Sequence, residues 1–208
     1  SEVIENATLS YVEPYASSTC EMVAEVLQYI AGTVKVRSNE ADCMYSGIMV
    51  DTNNFTAKTG VRTFEAAAFL RRYGADVTRV RKMFRDGAQE YKAKAETVRN
   101  AEIYKNAYAM GMCPSEGLDS PTEIGAQAAN ELLGINGIKA SFVVTEYNGK
   151  IYISARSIDE VNVQIIMERL GGGGHMNIAG AQLTDTTPER AIFVVKETLN
   201  QMLEEGAI

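Results

Sequence analysis

Histidine occurs once in the 208 residues, cysteine three times and proline four times. A single imidazole excludes a metal centre built from several histidines, and no Asp/His cluster at ligand spacing stands beside it. It also leaves a Ser-His-Asp triad unsupported, because one His among many serines defines no geometry. Cys20, Cys43 and Cys113 are odd in number and have no paired spacing. They read as reduced thiols in a cytosolic compartment. No apolar run approaches the roughly 20 residues that cross a bilayer, so no membrane contact is expected of this segment, and residues 1–5 carry no signal-peptide pattern. Neither familiar phosphate loop is present: there is no Gly-x-x-x-x-Gly-Lys-Ser/Thr, and no Gly-x-Gly-x-x-Gly opening a first βαβ unit. Internal repeats and low-complexity tracts are lacking too.

What remains is the composition of a soluble globular chain, 46% hydrophobic and 23% charged, long enough for one large or two modest domains. The net charge of -7 argues against broad, non-specific binding to duplex nucleic acid. It leaves room for a small phosphate ligand. The charge is uneven, since residues 71–100 hold nine Lys/Arg against four acids. That segment is either a solvated helix face or a cationic wall beside an anionic ligand.

Residues 1–15 read as an incoming strand or loop. Ala16-Ser17-Ser18-Thr19-Cys20-Glu21 opens a helix, with Ser17 or Ser18 as N-cap and Glu21 completing a capping box. Amides at this N-terminus also have the option of facing an anion. Residues 34–45 are polar, a loop or short helix. Tyr45 to Val50 reads as a short apolar strand that stops at Asp51. A carboxylate there is placed as sites in open parallel sheets are, though a turn or cap explains it equally. A helix follows with Ala66 to Leu70 in its interior and Gly74 as its breaker, then another from about Thr78 to Phe84. Residues 88–102 form an alanine- and lysine-rich helix that bridges to a second domain. There, Ile103 to Cys113 reads as a strand, and Pro121 to Leu133 as a helix. Ala140 to Tyr147 and Lys150 to Arg156 form a hairpin around Asn148-Gly149, a type I′ signal. Ile158 to Leu170 reads as a helix, Ala181 to Thr184 as a strand, and Pro188 to Glu204 as a closing amphipathic helix.

Between those last elements lie Gly171-Gly172-Gly173-Gly174-His175. Four glycines forgo side-chain packing at a large entropic cost. Ordered flanks argue against a linker, so close approach to the backbone is the better account. Glycine amides followed by an imidazole make a seat for an anion. Arg156, at the end of the hairpin, is a candidate phosphate clamp because guanidinium matches phosphate geometry. A surface or dipole-pairing arginine is the alternative.

Gly172-Gly173-Gly174-His175, with Ala179-Gly180 following, resembles the signature of the DHH-associated domain. Asp51 with Thr52 and Phe55, the Ala16-Ser17-Ser18-Thr19 helix start and Ala101-Glu102-Ile103-Tyr104 fall in the order of the same family. Over essentially the whole chain the sequence is similar to the cyclic-di-AMP phosphodiesterase branch of the DHH phosphoesterases. Ile178 departs, where the broader family usually has alanine. The resemblance implies an α/β chain: the C-terminal part of a parallel-sheet DHH domain (1–87), a linker helix (88–102) and a smaller α/β DHH-associated domain (103–208). It implies two Mn2+ ions in the parent, with Asp51 as one metal ligand. The paired metals would polarise the phosphoryl group and generate the attacking hydroxide. Arg156, Gly172, Gly173, Gly174 and His175 would contact the substrate, a cyclic dinucleotide or short oligonucleotide. The Asp-His-His motif is not in this sequence. The expectation is therefore a C-terminal piece, inactive alone and able to bind nucleotide phosphate. Its parent is expected at the membrane with this part on the cytoplasmic side, in a signalling role, and a homodimer is possible. Two other readings stand beside this: a nanoRNase- or phosphoadenosine-phosphatase-type DHH hydrolase, and a non-catalytic nucleotide- or RNA-binding module.

Overall fold

A computed structural model describes residues 6–30, 32, 34–158 and 160–208. Residues 1–5, the start of the expected incoming segment, lie outside the described residues. The chain divides into two compact units, Ser1–Arg85 and Asp86–Ile208, and as a whole it is α/β.

The regular elements among the first unit's described residues are all helices: α1 (Thr19–Ile30), α2 (Ser38–Asp51), α3 (Val61–Arg72) and α4 (Val77–Met83). The cap expected for α1 is present, as Ser18 Oγ accepts the Glu21 amide at 3.1 Å. The buried Glu21 carboxylate reaches back to Ser17, accepting its amide at 3.3 Å and its hydroxyl. The strand expected over Tyr45 to Val50 is instead the last turns of α2. Ala41, Asp42, Ile48 and Met49 are its buried positions, a helical rather than alternating spacing. Ala24, Ala41, Ile48, Ala66, Phe69 and Leu70 close the core between α1, α2 and α3. Asp42 and Arg79 clasp α2 to α4. Arg79 Nε and Nη2 donate to the two Asp42 oxygens at 2.7 and 3.2 Å, and the Asp76 amide donates at 2.7 Å.

The second unit is a six-stranded sheet with helices on both faces. Its elements are α5 (Ala88–Arg99), β1 (Glu102–Tyr104), β2 (Tyr108–Cys113), α6 (Pro121–Leu132), β3 (Ala140–Tyr147), β4 (Lys150–Ser157), α7 (Val163–Arg169), β5 (Gly173–His175), β6 (Ile178–Leu183) and α8 (Pro188–Glu204). The strand order is β1-β2-β3-β4-β6-β5; β2 and β3 are parallel and every other pair is antiparallel. The helix read as a bridge, α5, is part of this unit; its Ala93 joins the core formed by α6, β2 and β3. The single strand expected over Ile103 to Cys113 is a hairpin. Lys105 and Asn106 turn the chain with φ of 50° and 57°, the left-handed pair of a type I′ turn. Asn148 and Gly149, at 51° and 70°, do the same between β3 and β4, as expected.

One sheet face carries Met110, Phe142, Val144, Ile151, Ile153 and Ala179 against Val163, Ile166 and Met167 of α7 and Val195, Leu199 and Met202 of α8. Each large side chain buried there contributes about 1.5–3 kcal/mol. On the other face, α6 covers Ala109 and Val143 with Ala128, Ala129 and Leu132. Helix α7 begins five residues later than Ile158, capped by Asn162, whose side chain accepts the Gln164 amide at 3.0 Å.

Candidate functional site

The glycine run is divided between two structural tasks. Leu170 caps α7. Gly171 follows with φ +76°, its amide bonded to the Glu168 carbonyl at 3.0 Å, while the Gly172 amide reaches the Met167 carbonyl at 2.8 Å. This is a Schellman closure, which demands a left-handed residue at its centre. The next three residues are not a loop. Gly173–His175 is the edge strand β5, folded back on β6 through Met176-Asn177. Two glycines are required by that close pairing. A Cβ on Gly172 would lie 2.1 Å from the Gly180 carbonyl oxygen, and one on Gly174 would lie 2.5 Å from Ala179 Cα. Gly174 also holds φ +147°. Gly173 differs: a Cβ there meets nothing within 4 Å. Three glycines are accounted for by the fold, and the fourth leaves its face of the sheet open.

Register then decides what lies beside that opening. Arg156 on β4 pairs with Ile178 on β6, and Ile178 pairs with His175 on β5. Directly paired residues project to the same face, so Arg156, Ile178 and His175 form one row. One step along, Ser154, Gly180 and Gly173 form the next row, and Tyr152 and Gln182 the one after. Ser141, Val143 and Thr145 continue these rows on β3, where α6 covers them. The β4-β6-β5 part of the same face is open.

Arg156 carries the electrostatic signature of a site. It is half-buried; Nη1 donates to the Ala155 carbonyl at 2.9 Å, and the buried Nε has no partner. Burial alone pushes its pKa down from the usual guanidinium value, and no carboxylate pairs with it among the described residues. A guanidinium that gives up water without gaining an anion is a net cost to folding, and a phosphate would remove that cost. His175 is exposed and makes no side-chain hydrogen bond among the described residues. The hairpin tip beside it is held. The Ser157 amide donates to the Asn177 carbonyl at 3.1 Å, and the Val163 amide to the Met176 carbonyl at 2.9 Å.

Asp51 belongs to the first unit and is exposed at the C-terminal end of α2. That end of a helix carries partial negative charge, so a carboxylate there is unfavourable by about 0.3–1 kcal/mol. Three left-handed residues follow: Asn53, Asn54 and Phe55, with φ of 46°, 58° and 64°. Each costs on the order of 1–3 kcal/mol. Buried Thr52 holds the turn; its hydroxyl donates to the Ile48 carbonyl at 2.6 Å and accepts the Phe55 amide at 3.0 Å. The Asp51 carboxylate makes no hydrogen bond or ion pair among the described residues. Among the described residues no three His, Cys, Asp or Glu side chains are grouped to hold a metal ion. The residues present therefore do not fit a two-metal centre.

Tyr152, Ser154 and Gln182, which share the open face, are not singled out by the sequence. The alternation of β4 and β6 carries the signal, but it becomes specific only once the register between them is known.

Residues 107–205 match the family described as DHHA1 domain. Over 99% of its length the chain is 43% identical to the cyclic-di-AMP phosphodiesterase GdpP of Geobacillus thermodenitrificans, covering 31% of that protein. Over 89% of its length it is 43% identical to the cyclic-di-AMP phosphodiesterase PdeA of Listeria monocytogenes, covering 28% of it. The chain thus spans roughly a third of the length of these relatives. Among solved structures, an exopolyphosphatase-related protein from Bacteroides fragilis superposes with a TM-score of 0.83 at 22% identity, over 96% of this chain and 61% of that one. That likeness shows a shared fold.

Proposed function

We propose that the chain, whose residues 107–205 match the DHHA1 domain, is the substrate-holding portion of a DHH-family phosphodiesterase that cleaves cyclic-di-AMP to the linear dinucleotide. One observation carries the reading: the uncompensated Arg156 guanidinium and His175 share a row with open sheet beside them. Arg156 receives the phosphate through paired N–H donors. His175 and the edge of β5 supply further donors, since an edge strand leaves backbone amides without a sheet partner. Gly173 lets the ligand approach the backbone.

In this reading the parent depends on two Mn2+ ions, and Asp51 is one of their ligands. The unfavourable helix-end position and the strained turn after it support a functional role for Asp51. Among the described residues no further metal-binding group of three is present, and in this reading the chain binds nucleotide without cutting it. The parent's membrane anchoring, with this portion on the cytoplasmic side, and its signalling role belong to the same proposal; no described helix of this chain is long and apolar enough to cross a membrane.

Calorimetry with cyclic-di-AMP, its linear product and a short RNA tests the substrate, and a hydrolysis assay with added manganese tests the inactivity. Dinucleotide binding is expected to weaken by about 10- to 100-fold in Arg156→Ala, the worth of a charge-assisted hydrogen bond, with no turnover by either protein. Robust hydrolysis would overturn the inactivity. Short RNA binding more tightly than either dinucleotide would overturn the substrate.

A further inference from the structure

Two of the three thiols lie in the seam between α1 and α2. Cys20 stands in the first turn of α1, half-buried against the core of the first unit. Its Sγ fills the space over Gly47 of α2, so closely that a Cβ at that position would overlap it. Cys43, Gly47 and Asp51 are spaced by four residues on α2, which stacks them in one row about 5–6 Å apart. Cys20 therefore meets the middle of that row, with Cys43 one turn to one side and Asp51 one turn to the other. The electrostatics record the same placement: burial, then Asp51, then Cys43 push the Cys20 thiol up.

The two thiols are unequal. Cys43 is exposed, in the wall of a concavity of about 380 Å³ that Leu27, Met44, Lys35 and Glu40 also line. Glu40 is paired with Arg37, whereas Lys35 makes no ion pair among the described residues. An unmatched ammonium favours the thiolate, so Cys43 is the thiol that a small oxidant meets first. Cys20 sits where α1 is least held. The amides of a first helical turn have no intrahelical partner, and this turn is fastened by the Ser18 hydroxyl, which accepts the Glu21 amide at 3.1 Å. A slide of that turn along α2 brings Cys20 within the Cα separation of about 4.4–6.8 Å that a disulfide requires.

We propose that Cys20 and Cys43 form a redox switch in the α1–α2 seam, closed by hydrogen peroxide. The Cys43 thiolate attacks one peroxide oxygen; the O–O bond breaks, and a sulfenic acid forms as hydroxide leaves. The Cys20 sulfur then attacks the Cys43 sulfur. The S–S bond forms, the S–O bond breaks, and the Cys20 proton departs with the leaving oxygen as water. Two electrons pass from the thiols to the peroxide. Closure draws the first turn of α1 off its Ser18 cap and away from Asp51. The switch stands independently of the phosphodiesterase reading.

The test treats the whole chain with hydrogen peroxide, removes the excess with catalase, counts the free thiols and maps the peptides by non-reducing mass spectrometry. The count is expected to fall from three to one, leaving the buried Cys113, with residues 20 and 43 cross-linked in a monomer that dithiothreitol reopens. Amides of residues 19–22 are expected to exchange with deuterium about tenfold faster in the oxidised chain. Cys43→Ser is expected to keep both of its thiols. Cys20→Ser is expected to stop at a sulfenic acid that dimedone traps, with circular dichroism confirming that both variants are folded. Retention of all three thiols by the wild type overturns the proposal, as does oxidation that gives only sulfinic acid or intermolecular dimers. Thiol loss in Cys43→Ser as fast as in the wild type overturns the role of Cys43. A cross-link that leaves exchange over residues 19–22 unchanged overturns the switch.

Discussion

Alanine substitutions along the glycine run separate the residues the fold needs from the one it does not. In Gly174→Ala the new methyl group meets Ala179 Cα at 2.5 Å and the Ile178 carbonyl oxygen at 2.5 Å, both backbone atoms, at a φ of +147°. Overpacking costs about 1–3 kcal/mol and the backbone conformation about 1–3 kcal/mol. Their sum, centred on about 4 kcal/mol, lowers Tm by roughly 8–16 °C in a chain of this size. Gly173→Ala meets nothing within 4 Å and holds no left-handed φ. Its effect on the folded state is close to nil, while the unfolded chain loses freedom, a gain of about 0.4–1 kcal/mol. Tm therefore holds or rises by roughly 1–4 °C. Binding is expected to move in the opposite sense: the methyl of Gly173→Ala stands where the proposed ligand would approach, and 5′-AMP affinity is expected to fall by about tenfold, a loss of about 1.4 kcal/mol. Thermal unfolding by circular dichroism, paired with calorimetric titration, reads both effects. The reasoning is refuted if Gly173→Ala destabilises as much as Gly174→Ala, or if it binds 5′-AMP as the wild type does.

Two further substitutions probe the first unit. Asp42→Asn removes the charge and one of the two acceptor oxygens that bind Arg79 and is expected to cost about 2 kcal/mol at neutral pH by urea unfolding, the worth of hydrogen bonds to a charged group. Hydrogen bonding from Arg79 holds the Asp42 carboxyl below its ordinary range. Its stabilisation is therefore complete above the unfolded value near 3.9 and is lost as pH falls through the lower folded value. Glu13, Glu25, Glu40 and Asp76 shift the same way, so Asp42→Asn should lessen the acid sensitivity of unfolding, and an unchanged acid limb would count against the clasp. Thr52→Val keeps the shape but strips the hydroxyl that bonds Ile48 and Phe55; a loss of about 1–3 kcal/mol is expected, and an unaltered urea midpoint would show that the turn after Asp51 is held by something else.

Local chemistry made parts of this fold readable. Ser18 and Glu21 announced the start of α1, Asn148-Gly149 the β3–β4 hairpin, and Pro188 the first turn of α8. Each is a backbone preference satisfied within a few residues. Tyr45 to Val50 misled because a short apolar run looks the same in a strand and in a buried helix face. What makes it helical is contact with Ala24, Ala66 and Leu70 across the first-unit core. The Lys105-Asn106 turn was missed because lysine rarely takes a left-handed conformation, and only the pairing of Glu102 with Met110 reveals it.

The site shows the same division. Residue type and order placed four glycines, the lone histidine and an arginine in the closing α/β unit, and the resemblance of their motifs pointed to a phosphoesterase family. Those are properties of residue type and local spacing. The sequence did not contain, in any local form, which glycine is free. Gly171 is committed by the end of α7, and Gly172 and Gly174 by the backbone of β6. Nor did it contain the alignment of Arg156 with His175, or of Tyr152 with Gln182. Those depend on how β4 pairs with β6 and β6 with β5, and a slip of one residue would turn each side chain to the opposite face. Sheet register is set by the whole buried face under α7 and α8, so the tertiary structure alone brought Arg156, His175 and the open sheet beside them onto one surface.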